Sequence, residues 1–208
     1  MKDKINTVLF DLGRVLVNFD HAIAAERIAP FTGKTAEEVY GMFFDSALTR
    51  LFEAGKISPE GFFSEVKHLL DLKLDYGRFV PLWNEIFFLT EENRRVYELA
   101  KGLKDSYKTA MLSNINVLHF RYLKNNFPVF DAFHKVFLSY ELGFIKPDPR
   151  IYKKVLEQLN VPPSEVFYVD DRPELIEEAG GLGIRAFVYK GIGQLKEDLS
   201  GCGLKIPG

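Results

Sequence analysis

Hydrophobic residues in this chain form short uninterrupted runs in some segments and follow helical spacing in others. Five short apolar runs read as strands, and such runs are typical of strands buried on both faces; they are 8–10, 107–112, 136–138, 166–169 and 186–189. From residue 90 onward they alternate with segments of helical spacing, at 91–104, 116–126, 150–159 and 173–180. This alternation predicts parallel βαβ units with right-handed crossovers.

The segment from residue 20 to residue 88 is helical throughout and contains no predicted strand. We expect four helices in it, at 21–29, 36–54, 58–71 and 75–88. Its many aromatic residues are expected to pack in a small core of their own. We therefore predict an α/β core formed by 1–18 and 89–208, with a helical block at 19–88 inserted after the first strand.

Composition narrows the class of protein. The 208 residues are 47% hydrophobic and carry a formal net charge of -2 with acids and bases intermixed, which argues against a surface for nucleic acid. The single cysteine, Cys202, permits no internal disulfide and is typical of a reducing compartment such as the cytoplasm. We expect no signal peptide and no membrane span, because no apolar stretch has the required length.

Asp11 directly follows the apolar run at 8–10, and Gly13 comes two residues later. This order places a carboxylate at the carboxyl end of a strand, where open α/β sheets bind their ligands. A charged group so close to a buried run must be paired, hydrogen-bonded or bound to a metal. The stretch alone leaves two interpretations open, a catalytic or metal-binding carboxylate and an Asp that caps a turn.

Three further polar clusters follow predicted strands or lie in loops: Ser113 with Asn114, Lys146, and Asp170 with Asp171. The carboxyl ends of parallel strands share one edge of a sheet, so these clusters can converge on one crevice with Asp11. Neighbouring carboxylates repel one another unless a cation joins them, and a hard divalent ion such as Mg²⁺ suits oxygen ligands. Alternatively, one Asp of the pair caps the next helix.

A phosphate ligand would give each cluster a chemical use. Lys146, held in its loop by Pro147, is a candidate phosphate clamp, and Ser113 and Asn114 can donate hydrogen bonds to the same anion. With a metal and a lysine neutralising the phosphoryl group, Asp11 can attack phosphorus in line. The product is an aspartyl-phosphate, which water hydrolyses.

Four motifs resemble those of the haloacid dehalogenase superfamily: FDLG at 10–13, LSN at 112–114, IKPDPRIY at 145–152 and VDDRPELIEEA at 169–179. The resemblance implies a Rossmann-like, doubly wound parallel sheet with an inserted helical cap. The stretches FDLGRVLVNFD, FEAGKISPEGF, SNINVLH and KPDPRIY further resemble the sugar-phosphate phosphatases typified by the bacterial α-glucose-1-phosphate phosphatase.

The resemblance also implies roles for individual residues. Asp11 would be the nucleophile and a metal ligand, and the backbone carbonyl of Gly13 a second ligand. Asp171 would bind the metal directly with Asp170 beside it. Ser113, Asn114 and Lys146 would hold the phosphate.

This chain departs from the family at residue 13. Most phosphatases of the family carry a second Asp two residues after the nucleophile, as general acid and base, whereas this chain has Gly13. Such a group is worth roughly 10²–10⁴-fold in rate. The proton would come from a reactive leaving group, from water or from a cap residue such as Asp20 or His21, although Asp20 serves equally as a helix cap.

The expected function is therefore Mg²⁺-dependent hydrolysis of a small phosphorylated metabolite, such as a sugar phosphate. Two alternatives remain at this stage. One is a haloacid dehalogenase, which uses an Asp nucleophile without a metal, and the other is a binding protein with weak or no catalysis, suggested by Gly13. In an enzyme, cap residues would recognise the leaving group; the candidates are Phe19, Phe44, Asp45, Arg50 and Glu53.

Overall fold

A computed structural model of the chain describes residues 4–43 and 46–206. The strands are β1 Thr7–Phe10, β2 Asn18–Phe19, β3 Phe87–Phe88, β4 Lys108–Ser113, β5 Lys135–Leu138, β6 Val166–Asp170 and β7 Arg185–Val188. The helices are α1 His21–Ile28, α2 Ala36–Phe43, α3 Ala47–Glu53, α4 Pro59–Leu70, α5 Tyr76–Asn84, α6 Glu91–Leu103, α7 Val117–Asn126, α8 Ser139–Leu142, α9 Pro149–Leu159, α10 Pro173–Gly181 and α11 Ile192–Gly201.

Five of the strands form one parallel sheet in the order β5-β4-β1-β6-β7. From the central strand β1 the chain moves outward through β4 and β5, and then returns to the other side of β1 to add β6 and β7. The direction of winding therefore reverses at β1. The crevice outside the carboxyl ends of β4, β1 and β6 is the place where doubly wound sheets bind ligands. The predicted α/β class and parallel sheet are confirmed.

The sheet is buried because its strands carry apolar side chains on both faces. All four residues of β1 and all five of β6 are buried. Phe10 packs in a cluster with side chains of α6, α7 and α11, whereas Leu9 packs on the opposite face with side chains of α9 and α10. Adjacent strand residues point to opposite faces, so helices cover the sheet on both sides.

The helices between β2 and β3 enclose a separate hydrophobic cluster. Its centre is aromatic: the rings of Phe52 and Phe62 stack at a centroid distance of 4.4 Å, and Phe79 and Trp83 lie against Phe62. Among the described residues, the fully buried members of this cluster all lie within 24–86 except for Leu118 at the beginning of α7.

The expectation of a strand-free segment from 20 to 88 is wrong at its end, because β3 pairs antiparallel with β2. Two-residue strands are too short to show an alternating pattern, and this pairing joins segments that are distant in sequence. The predicted helix at 75–88 accordingly ends at Asn84. The predicted helix at 36–54 is divided into α2 and α3, and α8 and α11 were not predicted. Over the described ranges, every helix is too short or too polar to cross a membrane.

Candidate active site

The carboxyl edge of the sheet brings all seven predicted site residues to one cavity of about 420 Å³. They are Asp11, Gly13, Ser113, Asn114, Lys146, Asp170 and Asp171. Asp11 follows β1, Ser113 ends β4 and Asp170 ends β6, and these three strands are neighbours in the sheet. Parallel pairing therefore gathers groups that are up to 160 residues apart in the chain.

Lys146 is a buried cation in the cavity, with 3% of its surface exposed. Its Nζ donates to Asp11 Oδ1 at 2.6 Å and to Asp170 Oδ2 at 2.5 Å. The hydroxyl oxygen of Tyr168 lies 3.1 Å from the same nitrogen, and Tyr168 in turn donates to Asp170. A buried lysine must be paired in this way, because desolvating an isolated ammonium costs several kcal/mol.

The carboxylates outnumber the lysine, and their pKa values reflect this. Burial, with the neighbouring Asp170 and Asp171, raises the pKa of Asp11 to about 7 despite the opposing effect of Lys146. Burial and Asp170 also raise the pKa of Asp171. Burial alone would lower the pKa of Lys146, but Asp11 and Asp170 outweigh it and hold that pKa above its ordinary value. The cluster thus favours a further positive charge.

A divalent metal fits this donor set. Asp11, Asp170 and Asp171 each offer a carboxylate oxygen, and these three oxygens lie within 4.8 Å of one another. The three carboxylates are not equivalent, however. Asp170 has both oxygens engaged, since Oδ2 accepts from Lys146 and Oδ1 accepts from the backbone N–H of Arg172 at 3.1 Å. Asp171 has a longer contact, 3.9 Å to Nε of Arg14, and is the carboxylate of the pair that is freer to bind a cation.

Asn114 makes contacts that the sequence did not indicate. Its Nδ2 donates to the carbonyl of Lys146 at 2.9 Å, and its Oδ1 accepts from the backbone N–H of Lys146 at 2.7 Å. This reciprocal pair ties the loop after β4 to the lysine loop. The side chain of Asn114 therefore positions Lys146, and what remains for a phosphate is its second amide hydrogen and the backbone of its loop.

The space beside Gly13, two residues after Asp11, is occupied by the side chain of another residue, Phe19. A Cβ built on Gly13 would lie 2.9 Å from Cε1 of Phe19 and 3.7 Å from Asp11 Oδ2. The ring of Phe19 thus fills the space into which a longer side chain at residue 13 would project. In the described part of the cavity, the apolar ring of Phe19 therefore lies where most phosphatases resembling this chain carry their second Asp.

The roof of the cavity comes from the helical block. Helix α3 contributes Thr49, Arg50 and Glu53, and the β2–β3 pair contributes Phe19 and Phe87. Phe19, Arg50 and Glu53 are thus brought to the cavity as predicted for cap residues, whereas Phe44 and Asp45 lie outside the described residues. The walls combine aromatic surface with charged and hydroxyl groups, a mixture suited to a polar small molecule.

Asp20 and His21 are the two cap residues that the sequence offers as sources of a proton. The Asp20 side chain accepts from the backbone N–H of Ala22 at 2.9 Å and is the N-cap of α1, and Asp20 is not among the residues that line the cavity. His21 does line the cavity, against the ring of Phe19 at a centroid distance of 4.8 Å. Burial, with nearby His119 and Arg14, lowers the pKa of His21 to about 3, so its imidazole is neutral near pH 7.

His119 also lines the cavity, and the sequence singled it out only as part of a motif. Its Nδ1 lies 3.1 Å from Asn116 Nδ2 and its Nε2 lies 3.2 Å from the carbonyl oxygen of Trp83. The carbonyl can only accept, so Nε2 carries the hydrogen and Nδ1 accepts from the amide. Burial lowers the pKa of His119 to about 4. This neutral imidazole joins α7 to the end of α5.

Comparisons with known proteins agree with this geometry. The sequence profile of the haloacid dehalogenase-like hydrolase family matches residues 5–182. A D-ribitol-5-phosphate phosphatase from Bacteroides thetaiotaomicron is 28% identical to this chain over 189 residues, which cover 88% of this chain and 91% of the relative. A phosphatase from Mycobacterium tuberculosis is 29% identical over 225 residues, covering 98% of each chain.

The fold is also similar to that of a solved structure from the same family. A haloacid dehalogenase family enzyme from Bacteroides thetaiotaomicron, in complex with magnesium and inorganic phosphate, matches with a TM-score of 0.80 at 28% identity. The match covers 90% of this chain and 96% of that one, so the likeness extends over the sheet and the helical block together.

Proposed function

This chain belongs to the haloacid dehalogenase-like hydrolase family and is a phosphatase, and we propose that it is a Mg²⁺-dependent phosphomonoesterase acting on a small sugar or polyol phosphate. The observation that carries the proposal is the placement of Asp11 against Lys146 and two further carboxylates at the switch point of the sheet. One lysine does not balance three buried or half-buried carboxylates, and a divalent cation would complete the balance.

Asp11, the Gly13 carbonyl and Asp171 are the groups proposed to hold the metal, with Asp170 beside them. A bound Mg²⁺ would withdraw charge from the phosphoryl oxygens and bring the phosphate to Asp11. Asp170 is proposed to act mainly through Lys146, since both of its oxygens are already engaged. The related enzyme from Bacteroides thetaiotaomicron is in complex with magnesium and inorganic phosphate, which supports a magnesium-dependent reaction at a phosphate in this family.

The proposed reaction has two steps at phosphorus. A carboxylate oxygen of Asp11 forms a bond to phosphorus while the ester oxygen leaves and takes up a proton. Water then attacks the aspartyl-phosphate, releasing inorganic phosphate and restoring the carboxylate. Lys146, together with the hydroxyl of Ser113 and the N–H groups of its loop, would stabilise the negative charge on the phosphoryl oxygens.

The helical block at 19–88 is proposed to be a cap over the core formed by 1–18 and 89–208. Its contribution to the cavity is polar on α3 and aromatic at Phe19 and Phe87. Hydroxyl-rich leaving groups match that mixture, because their C–H faces pack on rings while their O–H groups reach Arg50 and Glu53. The relative that hydrolyses D-ribitol 5-phosphate supports a substrate of this class.

The test is a phosphatase assay with a panel of phosphorylated metabolites and MgCl₂. We expect turnover of at least one sugar or polyol phosphate, abolished by a chelator and restored by Mg²⁺. Asp11→Asn should lower kcat by at least ~10³-fold. Asp105→Asn, which alters an exposed carboxylate at the other end of the sheet, is the matched control and should leave kcat unchanged.

Failure to hydrolyse any phosphomonoester with Mg²⁺ present would refute the proposal. The dehalogenase alternative is tested in the same preparation, with a 2-haloacid and a chelator. Chloride release under those conditions would favour it, but the acidic cluster around Asp11 argues against a metal-free reaction.

A further inference from the structure

The C-terminal end of α3 is attached to the core through one buried hydroxyl. Ser139, the first residue of α8, has none of its surface exposed. Its Oγ donates to the carbonyl oxygen of Glu53 at 2.6 Å. Glu53 is the last residue of α3 and lines the roof of the cavity, so this bond fixes the cavity end of that helix.

The same oxygen also holds the loop that follows β4. The backbone N–H of Ile115 donates to Ser139 Oγ at 2.9 Å, and the Ile115 carbonyl lies 3.1 Å away. Ile115 comes directly after Ser113 and Asn114 and lines the cavity with them. Since the hydroxyl has one hydrogen and its shorter contact is to Glu53, it accepts from the phosphate-side loop and donates to the roof.

The two segments are in direct backbone contact at this point. Gly55 has φ +66, a left-handed conformation, and a Cβ on it would overlap the carbonyl oxygen of Tyr140. Lys56 then extends over the ring of Phe144, with Nζ 5.8 Å from the ring centroid. The segments 53–55 and 139–140 therefore lie directly against each other, and a shift of α3 is passed to Ser139.

We infer that Ser139 is a positioning residue, which couples contacts between the leaving group and α3 to the phosphate-side loop at Ser113–Ile115. The inference rests on the proposed function and deepens it. A leaving group that contacts α3 would fix the end of this helix. Ser139 would then hold the loop at Ser113–Ile115 in position, so that its hydrogen-bond donors face the phosphate. Binding energy from the remote part of a substrate then raises kcat as well as affinity.

A purely structural role for Ser139 predicts a different result. If its hydroxyl only satisfies two buried backbone groups, its loss loosens the site for every substrate to the same extent. If it couples the two walls, its loss affects a substrate that reaches α3 more than one that does not. The ratio of kcat values for two such substrates distinguishes the two roles.

The experiment compares a five-carbon polyol phosphate with ethyl phosphate, whose leaving group is too short to fill the roof. The variants are Ser139→Ala and Ser139→Cys, the latter keeping a side chain of similar shape with a weaker donor. Thr109→Val is the matched control. The Thr109 hydroxyl is equally buried and donates to the carbonyl of Ala132 at 2.8 Å, but it lies near the amino end of β4.

In the wild type we expect a higher kcat for the polyol phosphate than for ethyl phosphate. Either Ser139 variant should lower that ratio by about fivefold to tenfold, as expected for one hydrogen bond of this kind. Thr109→Val should leave the ratio unchanged. If Ser139→Ala does not fold, Ser139→Cys alone decides.

Equal loss of kcat for both substrates, or a ratio equal to that of Thr109→Val, would overturn the inference. A wild type that hydrolyses both esters with the same kcat would overturn it too, because no remote binding energy would exist to transmit. In each of these three cases the proposed phosphatase stands. Absence of turnover on every phosphomonoester, by contrast, removes the proposed function itself.

Discussion

The ring of Phe19 stands where a side chain on residue 13 would begin, with Cε1 2.9 Å from the Cβ that Gly13 lacks. Phe19 belongs to the β2–β3 pair, so the packing at this point comes from the segment that connects the sheet to the helical block. Gly13 therefore does more than remove an acidic side chain from this position. The space that such a side chain would need is occupied by the ring of Phe19, which lines the cavity.

Gly13→Ala should destabilise the protein because the added methyl group displaces the ring of Phe19. Overpacking of this kind costs about 1–3 kcal/mol. The double variant Gly13→Ala with Phe19→Leu should recover most of the loss. Gly180→Ala is the control, since a Cβ there has open space in α10 and should be neutral or slightly stabilising. Urea unfolding measures all three, and a Gly13→Ala variant as stable as Gly180→Ala would contradict the prediction.

Without an acid at residue 13, the rate should depend steeply on the leaving group. We expect kcat/KM to be roughly 10²–10⁴-fold higher for an aryl phosphate than for an alkyl phosphate of similar size, because only the alkoxide needs a proton to depart. His21, with its pKa lowered to about 3, has no acidic proton to supply near pH 7.

His21→Gln should accordingly preserve the slope of log kcat/KM against leaving-group pKa. Measurement over a series of esters with the wild type and this variant decides the point. A shallow slope in the wild type that becomes steep in His21→Gln would identify His21 as the proton donor and contradict the prediction.

The sheet and the location of the site were predictable because each depends on short local patterns, namely apolar runs followed directly by polar residues. The runs at 8–10 and 166–169 each end in a carboxylate, and no buried strand tolerates one in its interior. Because the strands are parallel, the residues that follow them lie at the same edge of the sheet. Lys146 was predictable as a site residue because Pro147 follows it in a loop, although its two carboxylate partners were not.

Contacts that depend on the packing of distant segments were not predictable. Asn114 was expected to donate to a phosphate, and its pairing with the backbone of Lys146 becomes visible only when two loops meet. The same holds for Phe19 against Gly13 and for Ser139 beneath α3. Sequence patterns report the burial of one segment, and these contacts are set by the mutual placement of two.

Lys146→Met should reduce both stability and activity. The variant keeps the volume of the side chain but leaves Asp11 and Asp170 buried without a counter-charge, and loss of one partner from a buried pair costs about 3–5 kcal/mol. Because Lys146 is proposed to bind the phosphate, its loss should also lower kcat/KM by ~10²-fold or more. Lys153→Met, at an exposed position of α9, is the control. Equal unfolding free energies for the two variants would show that the carboxylates do not require the lysine.

His119 should make the protein less stable in mild acid. In the folded chain burial lowers its pKa from 6.5 to about 4, so between these values the unfolded chain binds more protons than the folded chain. Its contribution is therefore present above pH 6.5 and is lost as the pH falls toward 4. At pH 5 this amounts to roughly 2 kcal/mol relative to pH 7.5.

His119→Gln keeps a donor for the carbonyl of Trp83 but does not titrate, so it should unfold with a shallower loss of stability in acid than the wild type. Urea unfolding at pH 7.5 and pH 5.0 gives the comparison, with the exposed His68→Gln as control. The raised pKa of Asp11 acts in the opposite direction over part of this range and is common to every variant. The difference in unfolding free energy between wild type and His119→Gln therefore isolates the contribution of the imidazole. Parallel pH profiles for the two proteins would show that protonation of His119 does not cause the loss of stability in acid.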